Sequence, residues 1–180
     1  MKGIVFTEFL EMVEQRFSPE IADRLIDESD LPSGGIYTAV GTYEHTEIVT
    51  MVSKLSEISG LPISVLINAF GQYLFGRFYA LYPHFFEGVN RSLDFLGRIE
   101  DVIHVEVKKL YPDAQLPRFD IVRLDEQSLI MTYHSDRHLG DLAEGLIQSC
   151  IAHFGETIDV QRDDLTTPDA PVRFTLSQVA

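Results

Sequence analysis

Apolar residues recur at helical spacing through the first half of the chain. Val5, Phe9, Met12 and Val13, with Phe6 and Leu10 beside them, mark one face of a helix over residues 2–17. Ser18, Pro19 and Glu20 then stand as N-cap, first-turn proline and first-turn acid. The helix they open carries Ile21, Leu25 and Ile26 and runs to about Ser29. Pro32, Gly34, Gly35 and Gly41 interrupt the pattern between Asp30 and Gly41, which reads as loop. A third helix spans roughly Tyr43 to Ser59, ended by Gly60 with Pro62 beyond it. Ile63 to Tyr82 is more apolar than a surface helix needs, with Leu66, Phe70, Tyr73, Leu74, Phe75, Phe78 and Leu81.

Pro83 and Gly88 punctuate the connection that follows. The spacing then predicts one continuous helix from Arg91 to Leu110, striped by Phe95, Leu96, Ile99, Ile103, Val107 and Leu110. Pro112 and Pro117 stop it and make 111–118 a loop. There the apolar period changes. Phe119 to Leu124 and Ser128 to His134 read as a hairpin around Asp125-Glu126-Gln127. A helix over Leu139 to Phe154 stops at Gly155, and strands follow at Thr157 to Arg162 and Val172 to Ser177, joined by a proline-containing loop at 164–171. The order predicts an α+β fold: N-terminal helices, then a small four-stranded antiparallel sheet with one inserted helix.

Composition narrows the classes of function. The 180 residues fit one domain with room for a real core. Twelve Phe and seven Tyr suit an apolar pocket without proving one. The formal net charge of -14 argues against a nucleic-acid partner, whose phosphates would be repelled. The single cysteine, Cys150, excludes an internal disulfide and a cysteine-rich metal cluster. It lies in an apolar helix with no activating neighbour and reads as a core thiol. No apolar run approaches the roughly 18 residues of a membrane span, and no basic segment precedes an apolar one. A soluble, cytoplasmic protein with no membrane partner is therefore expected.

The segment Met131 to Arg137 carries the densest chemistry. If the strand stays extended through it, Tyr133, Ser135 and Arg137 share one side. That aligns a phenol, a hydroxyl and a guanidinium, all donors toward an anion. The same residues read equally well as a strand end with a solvated arginine. A hydrolase is excluded at His134-Ser135, because neighbours on a strand point to opposite faces and cannot share a proton as a triad does. The chain has no G-x-S-x-G, no glycine-rich phosphate loop and no H-E-x-x-H, so an enzyme is not expected. His104 lies beside the apolar stripe of its helix, in line with Gly97 and Tyr111. With Glu100 and Lys108 a turn away it reads either as a half-exposed surface residue or as a neutral imidazole available to a haem iron.

The Y-x-S-x-R pattern of Tyr133, Ser135 and Arg137, about thirty residues after a helical histidine in a chain that begins Met1-Lys2-Gly3, resembles the haem nitric oxide/oxygen-binding (H-NOX) family. The resemblance covers essentially the whole chain. It implies a single domain over 1–180 that encloses haem b (iron protoporphyrin IX), with a distal helical part over about 1–62 and a haem-ligating part over about 63–180. It implies His104 as the iron ligand and Tyr133, Ser135 and Arg137 on the propionates. Pro117, otherwise a loop proline that stops a helix, matches the family residue that presses on the macrocycle. Val5, Phe9, Leu74, Phe78, Leu142 and Leu146 would cover the distal face. Their plainer reading is ordinary core, which is physically the same statement, since a haem packs like a core residue.

One departure from the family pattern carries information. Members that hold oxygen place a tyrosine nine residues after the motif tyrosine, where this chain has Leu142. The resemblance therefore implies a sensor of nitric oxide, and of carbon monoxide, that excludes oxygen. The zinc site of some members lacks its residues, because no cysteine or histidine follows His153. In the family mechanism nitric oxide breaks the iron–histidine bond and a partner reads the change. No second domain follows Ala180, so output is expected through a separate protein. Bacterial relatives of this kind control a histidine kinase or a cyclic-di-GMP enzyme. A haem-storage or redox protein of the same fold, and a module for another flat ligand gripped by Arg137, are the competing readings.

Overall fold

The computed structural model describes residues 1–166 and 171–179, so residues 167–170 of the loop expected at 164–171 lie outside the described residues. Four helices come first: α1 (Gly3–Arg16), α2 (Pro19–Glu28), α3 (His45–Ser59) and α4 (Ile63–Leu81). Ser18 caps α2 as its sequence implies, its hydroxyl accepting the Ile21 N–H at 3.3 Å. Gly60 closes α3 at φ 73°, the left-handed conformation that glycine adopts without strain. Phe6, Phe9, Met12, Leu25, Met51, Leu55 and Phe70 from these helices form one buried core. Glu8 on α1 is buried and grips Arg77 on α4 at 2.5 and 3.3 Å, which holds α1 across α4. No single helix among the described residues is long and apolar enough to cross a membrane.

The expected helix from Arg91 to Leu110 is broken. It consists of α5 (Ser92–Leu96), a π-helical turn (Ile99–Ile103) and α6 (His104–Leu110). At the break the Arg98 carbonyl accepts from both Val102 and Ile103, the second bond having the wider π spacing. The cause is tertiary. Arg123, from the first strand, donates to the Leu93 carbonyl at 3.0 Å and to the Asp94 carboxylate at 2.8 Å, pinning the end of α5. Gly97, the poorest helix former short of proline, takes the turn there. A short 3₁₀ turn, Pro83–Phe86, precedes α5 and was not legible in the apolar pattern.

Strands β1 (Arg118–Arg123), β2 (Ser128–His134), β3 (Ile158–Asp164) and β4 (Val172–Gln178) form an antiparallel sheet of order β1-β2-β4-β3. Helix α7 (Gly140–His153) enters between β2 and β3. Alternation places Leu129, Met131 and Tyr133 of β2 and Val172, Phe174 and Leu176 of β4 on one buried face. That face meets Leu93, Leu96, Ala143, Ile147, Cys150 and Ile151 in a second core. Helices α4 and α7 cross at glycines: a Cβ on Gly71 would stand 2.3 Å from the Leu142 carbonyl oxygen, and one on Gly145 2.1 Å from that of Asn68. The two backbones approach more closely than any other residue would allow, and this crossing sets one wall of the cavity described next.

Candidate functional site

A cavity of about 290 Å³ lies where α1, α4 and α7 meet the α5–α6 segment and the inner face of the sheet. Val5, Leu74, Phe78, Leu142 and Leu146 line it from the first three helices. The whole predicted stripe of the broken helix, Phe95, Leu96, Ile99, Ile103, Val107 and Leu110, faces into it as well. Phe9 does not. It is fully buried in the N-terminal core, edge-on to Phe70 with centroids 5.2 Å apart, one turn further from the cavity than Val5. The other ten site residues expected from sequence all reach the wall, Pro117 among them. Cys150 also reaches it but is fully buried, and burial pushes its thiol well above the usual range.

His104 is the first residue of α6, immediately after the π turn. Its side chain is only 15% exposed, which settles the half-exposed alternative, and burial lowers its pKa from the ordinary value against the opposing pull of Glu100. Its Nδ1 lies 3.0 Å from Oε2 of Glu100. A carboxylate accepts, so Nδ1 carries the proton and Nε2 keeps the lone pair. The ring is thus a neutral imidazole on an apolar cavity wall, and among the described residues its Nε2 has no hydrogen-bond partner.

Tyr133, Ser135 and Arg137 also gather at the cavity, but not because the chain stays extended. Strand β2 ends at His134, and the backbone turns, with His138 N–H bonded to the Ser135 carbonyl at 3.2 Å and His138 itself at φ 51°. The Ser135 hydroxyl accepts the Arg137 N–H at 3.2 Å. This turn carries the guanidinium back over the cavity mouth, where it donates to the Gln115 carbonyl at 2.8 Å and to Gln115 Oε1 at 3.2 Å. Burial raises the Tyr133 pKa, with the Ser135 hydroxyl and Arg137 opposing, so its phenol stays a donor at neutral pH.

A second polar group flanks the cavity. Lys2 donates to Asp113 at 3.2 and 3.1 Å, to Thr42 at 3.1 Å and to the Val40 carbonyl at 2.7 Å, and it lies over the Tyr111 ring. Thr42 reaches the same Asp113 at 2.7 Å. The Tyr111 hydroxyl stands 3.3 Å from that of Tyr82 at the end of α4. The stretch directly after α6 is therefore tied to the N-terminal segment and to α4.

A protein-family model described as haem-NO-binding matches residues 2–162. The chain belongs to this H-NOX family. The structure superimposes on the Fe(II) unliganded H-NOX protein from K. algicida with a TM-score of 0.93 at 33% identity, covering 100% of this chain and 97% of that one. An H-NOX from Shewanella woodyi, solved in solution with the compound IWP-051 in the Fe(II)CO ligation state, is 37% identical, with a TM-score of 0.85 and coverage of 99% and 95%. The S. oneidensis H-NOX in the Fe(II)NO ligation state is 26% identical, with a TM-score of 0.92 over 100% of both chains. No curated protein matches.

H-NOX domains bind haem, and the donor set here fits one: a single neutral imidazole, apolar walls, and a guanidinium, phenol and hydroxyl at the mouth. Several residues of this H-NOX site escaped the sequence reading. Lys2, Tyr82, Phe85, Phe86, Tyr111 and Gln115 all line the cavity, and Glu100 stands behind His104. Glu100 and Tyr111 left a trace in the sequence, four residues before and seven after His104. The others come from loops and helix ends, where periodicity carries no information.

Proposed function

We propose that this H-NOX domain senses nitric oxide through ferrous haem b, also takes up carbon monoxide, and leaves oxygen unbound. The observation that carries the reading is a neutral imidazole facing an apolar cavity in which position 142 is leucine. When bound, haem would supply a ferrous iron able to take a protein ligand and a diatomic gas. His104 would hold the iron through Nε2. Tyr133, Ser135 and Arg137 would donate to the propionates, Arg137 giving up its neutral Gln115 acceptors for a charged one. Pro117, on the cavity wall, would press on the macrocycle. Val5, Leu74, Phe78, Leu142 and Leu146 exclude water and offer no hydrogen-bond donor. Oxygen needs a donor more than nitric oxide or carbon monoxide does, because it takes on partial negative charge when held by ferrous iron. The Fe(II)NO state of the S. oneidensis relative and the Fe(II)CO state of the S. woodyi relative support uptake of these two gases.

Release of His104 from the iron would leave its helix, and the Tyr111–Asp113 stretch that Lys2, Thr42 and Tyr82 restrain, able to shift, and a histidine kinase or cyclic-di-GMP enzyme would read the change. This is a two-state element biased by a ligand. The test is the Soret spectrum of the ferrous protein, purified without added haem, under nitrogen, nitric oxide, carbon monoxide and air. Distinct nitric oxide and carbon monoxide spectra with no lasting change in air are expected. A long-lived oxygen spectrum would overturn the selectivity and turn attention to Tyr82 as the donor.

A further inference from the structure

We propose that Glu100 is a positioning residue for His104, fixing the imidazole tautomer and setting how firmly His104 holds the iron. The inference rests on the haem reading above. Its geometry is a two-sided anchor. One carboxylate oxygen, Oε2, accepts from His104 Nδ1 at 3.0 Å and from the Phe119 backbone N–H at 3.0 Å. The second bond keeps the acceptor from following the ring, so the ring is tied to β1 as well as to its own helical segment.

Three consequences follow. An imidazole without a partner has two tautomers, and the one protonated on Nε2 cannot ligate through Nε2. No other side chain among the described residues hydrogen-bonds this ring, so Glu100 alone selects the ligating form. A carboxylate drawing on Nδ1–H also raises the basicity of Nε2, which strengthens a metal bond. Last, Phe119 is the register partner of the motif residue Tyr133, their rings 5.5 Å apart. Release or capture of His104 would therefore be felt at the strand pair that carries Tyr133. Glu100 reaches this position from inside the π turn Ile99–Ile103, an irregular backbone of the kind found at functional sites.

The experiment compares haem-loaded wild type with Glu100→Ala, Glu100→Gln and Glu106→Ala, the last a half-exposed carboxylate of α6 that pairs with Lys109. The readouts are the iron–histidine stretching band of the ferrous protein by resonance Raman and the rate of haem transfer to apomyoglobin. In Glu100→Ala the band is expected to move to lower frequency and haem to leave roughly 10–100-fold faster. Glu100→Gln retains an acceptor without the charge and should fall between. Glu106→Ala should match wild type. A purely structural role for Glu100 would leave the band in place in whichever variants fold, and an unmoved band in Glu100→Gln and Glu100→Ala overturns the proposal. A wild-type protein that binds haem but shows no iron–histidine band overturns His104 ligation first, and this inference with it.

Discussion

Arg137 shows how much one residue depends on where the chain turns. Its guanidinium is partly exposed and held by the Gln115 carbonyl and side chain. Both acceptors are neutral, so a propionate carboxylate would be the better partner. A hydrogen bond to a charged group is worth about 1.5–3 kcal/mol, and solvent at the mouth favours the lower end. Arg137→Ala is therefore expected to speed haem loss to apomyoglobin about tenfold or more. Arg16→Ala, which removes an exposed arginine from the end of α1, should leave the rate unchanged. Equal rates in the two variants would remove Arg137 from the haem site.

Among the elements, the α4–α7 crossing makes the sharpest demand on the sequence. A side chain at Gly145 would run into backbone, the Asn68 carbonyl, which cannot swing aside, so the helices must separate. Such overpacking costs about 1–3 kcal/mol. Gly76, also on α4, meets nothing within 4 Å, and alanine there removes unfolded-state freedom worth about 0.4–1 kcal/mol. Thermal unfolding of the two single variants should thus move in opposite directions, Gly145→Ala downward and Gly76→Ala upward. Matching shifts would show that the crossing relaxes more easily than its geometry implies. Because Leu74, Leu142 and Leu146 flank these glycines, Gly145→Ala should also disturb the cavity wall they form.

For the whole molecule, the proposed release of His104 has to reach a partner through contacts beyond the cavity. The Lys2–Asp113–Thr42 group and the Tyr82–Tyr111 pair join the end of the His104 helix to the N-terminal segment and to α4. His104→Gly, which abolishes the tether without any gas, is expected to act on a partner as nitric-oxide-bound wild type does. The comparison needs haem-loaded wild type, the same protein under nitric oxide, and the variant, in one partner-activity assay. A variant that behaves like unliganded wild type would show that the switch lies elsewhere. At a net charge of -14, the complex should also weaken as salt rises.

Local rules made much of this legible from sequence. The Ser18 cap, the stops at Gly60 and Gly155, the two-residue period of β2 and the apolar stripe from Phe95 to Leu110 each depend on neighbours close in the chain. The tertiary structure decided what those elements do to one another. Val5 and Phe9 share a helical face, yet packing sends Val5 to the cavity and Phe9 against Phe70. Arg123 breaks a helix that periodicity draws as continuous, and a turn rather than an extended strand brings Arg137 to Tyr133. Glu100 meets Phe119 only because the π turn and the sheet edge come together. A hydrophobic pattern encodes which side chains must leave water, but the partner that receives each one is chosen by contacts between distant segments.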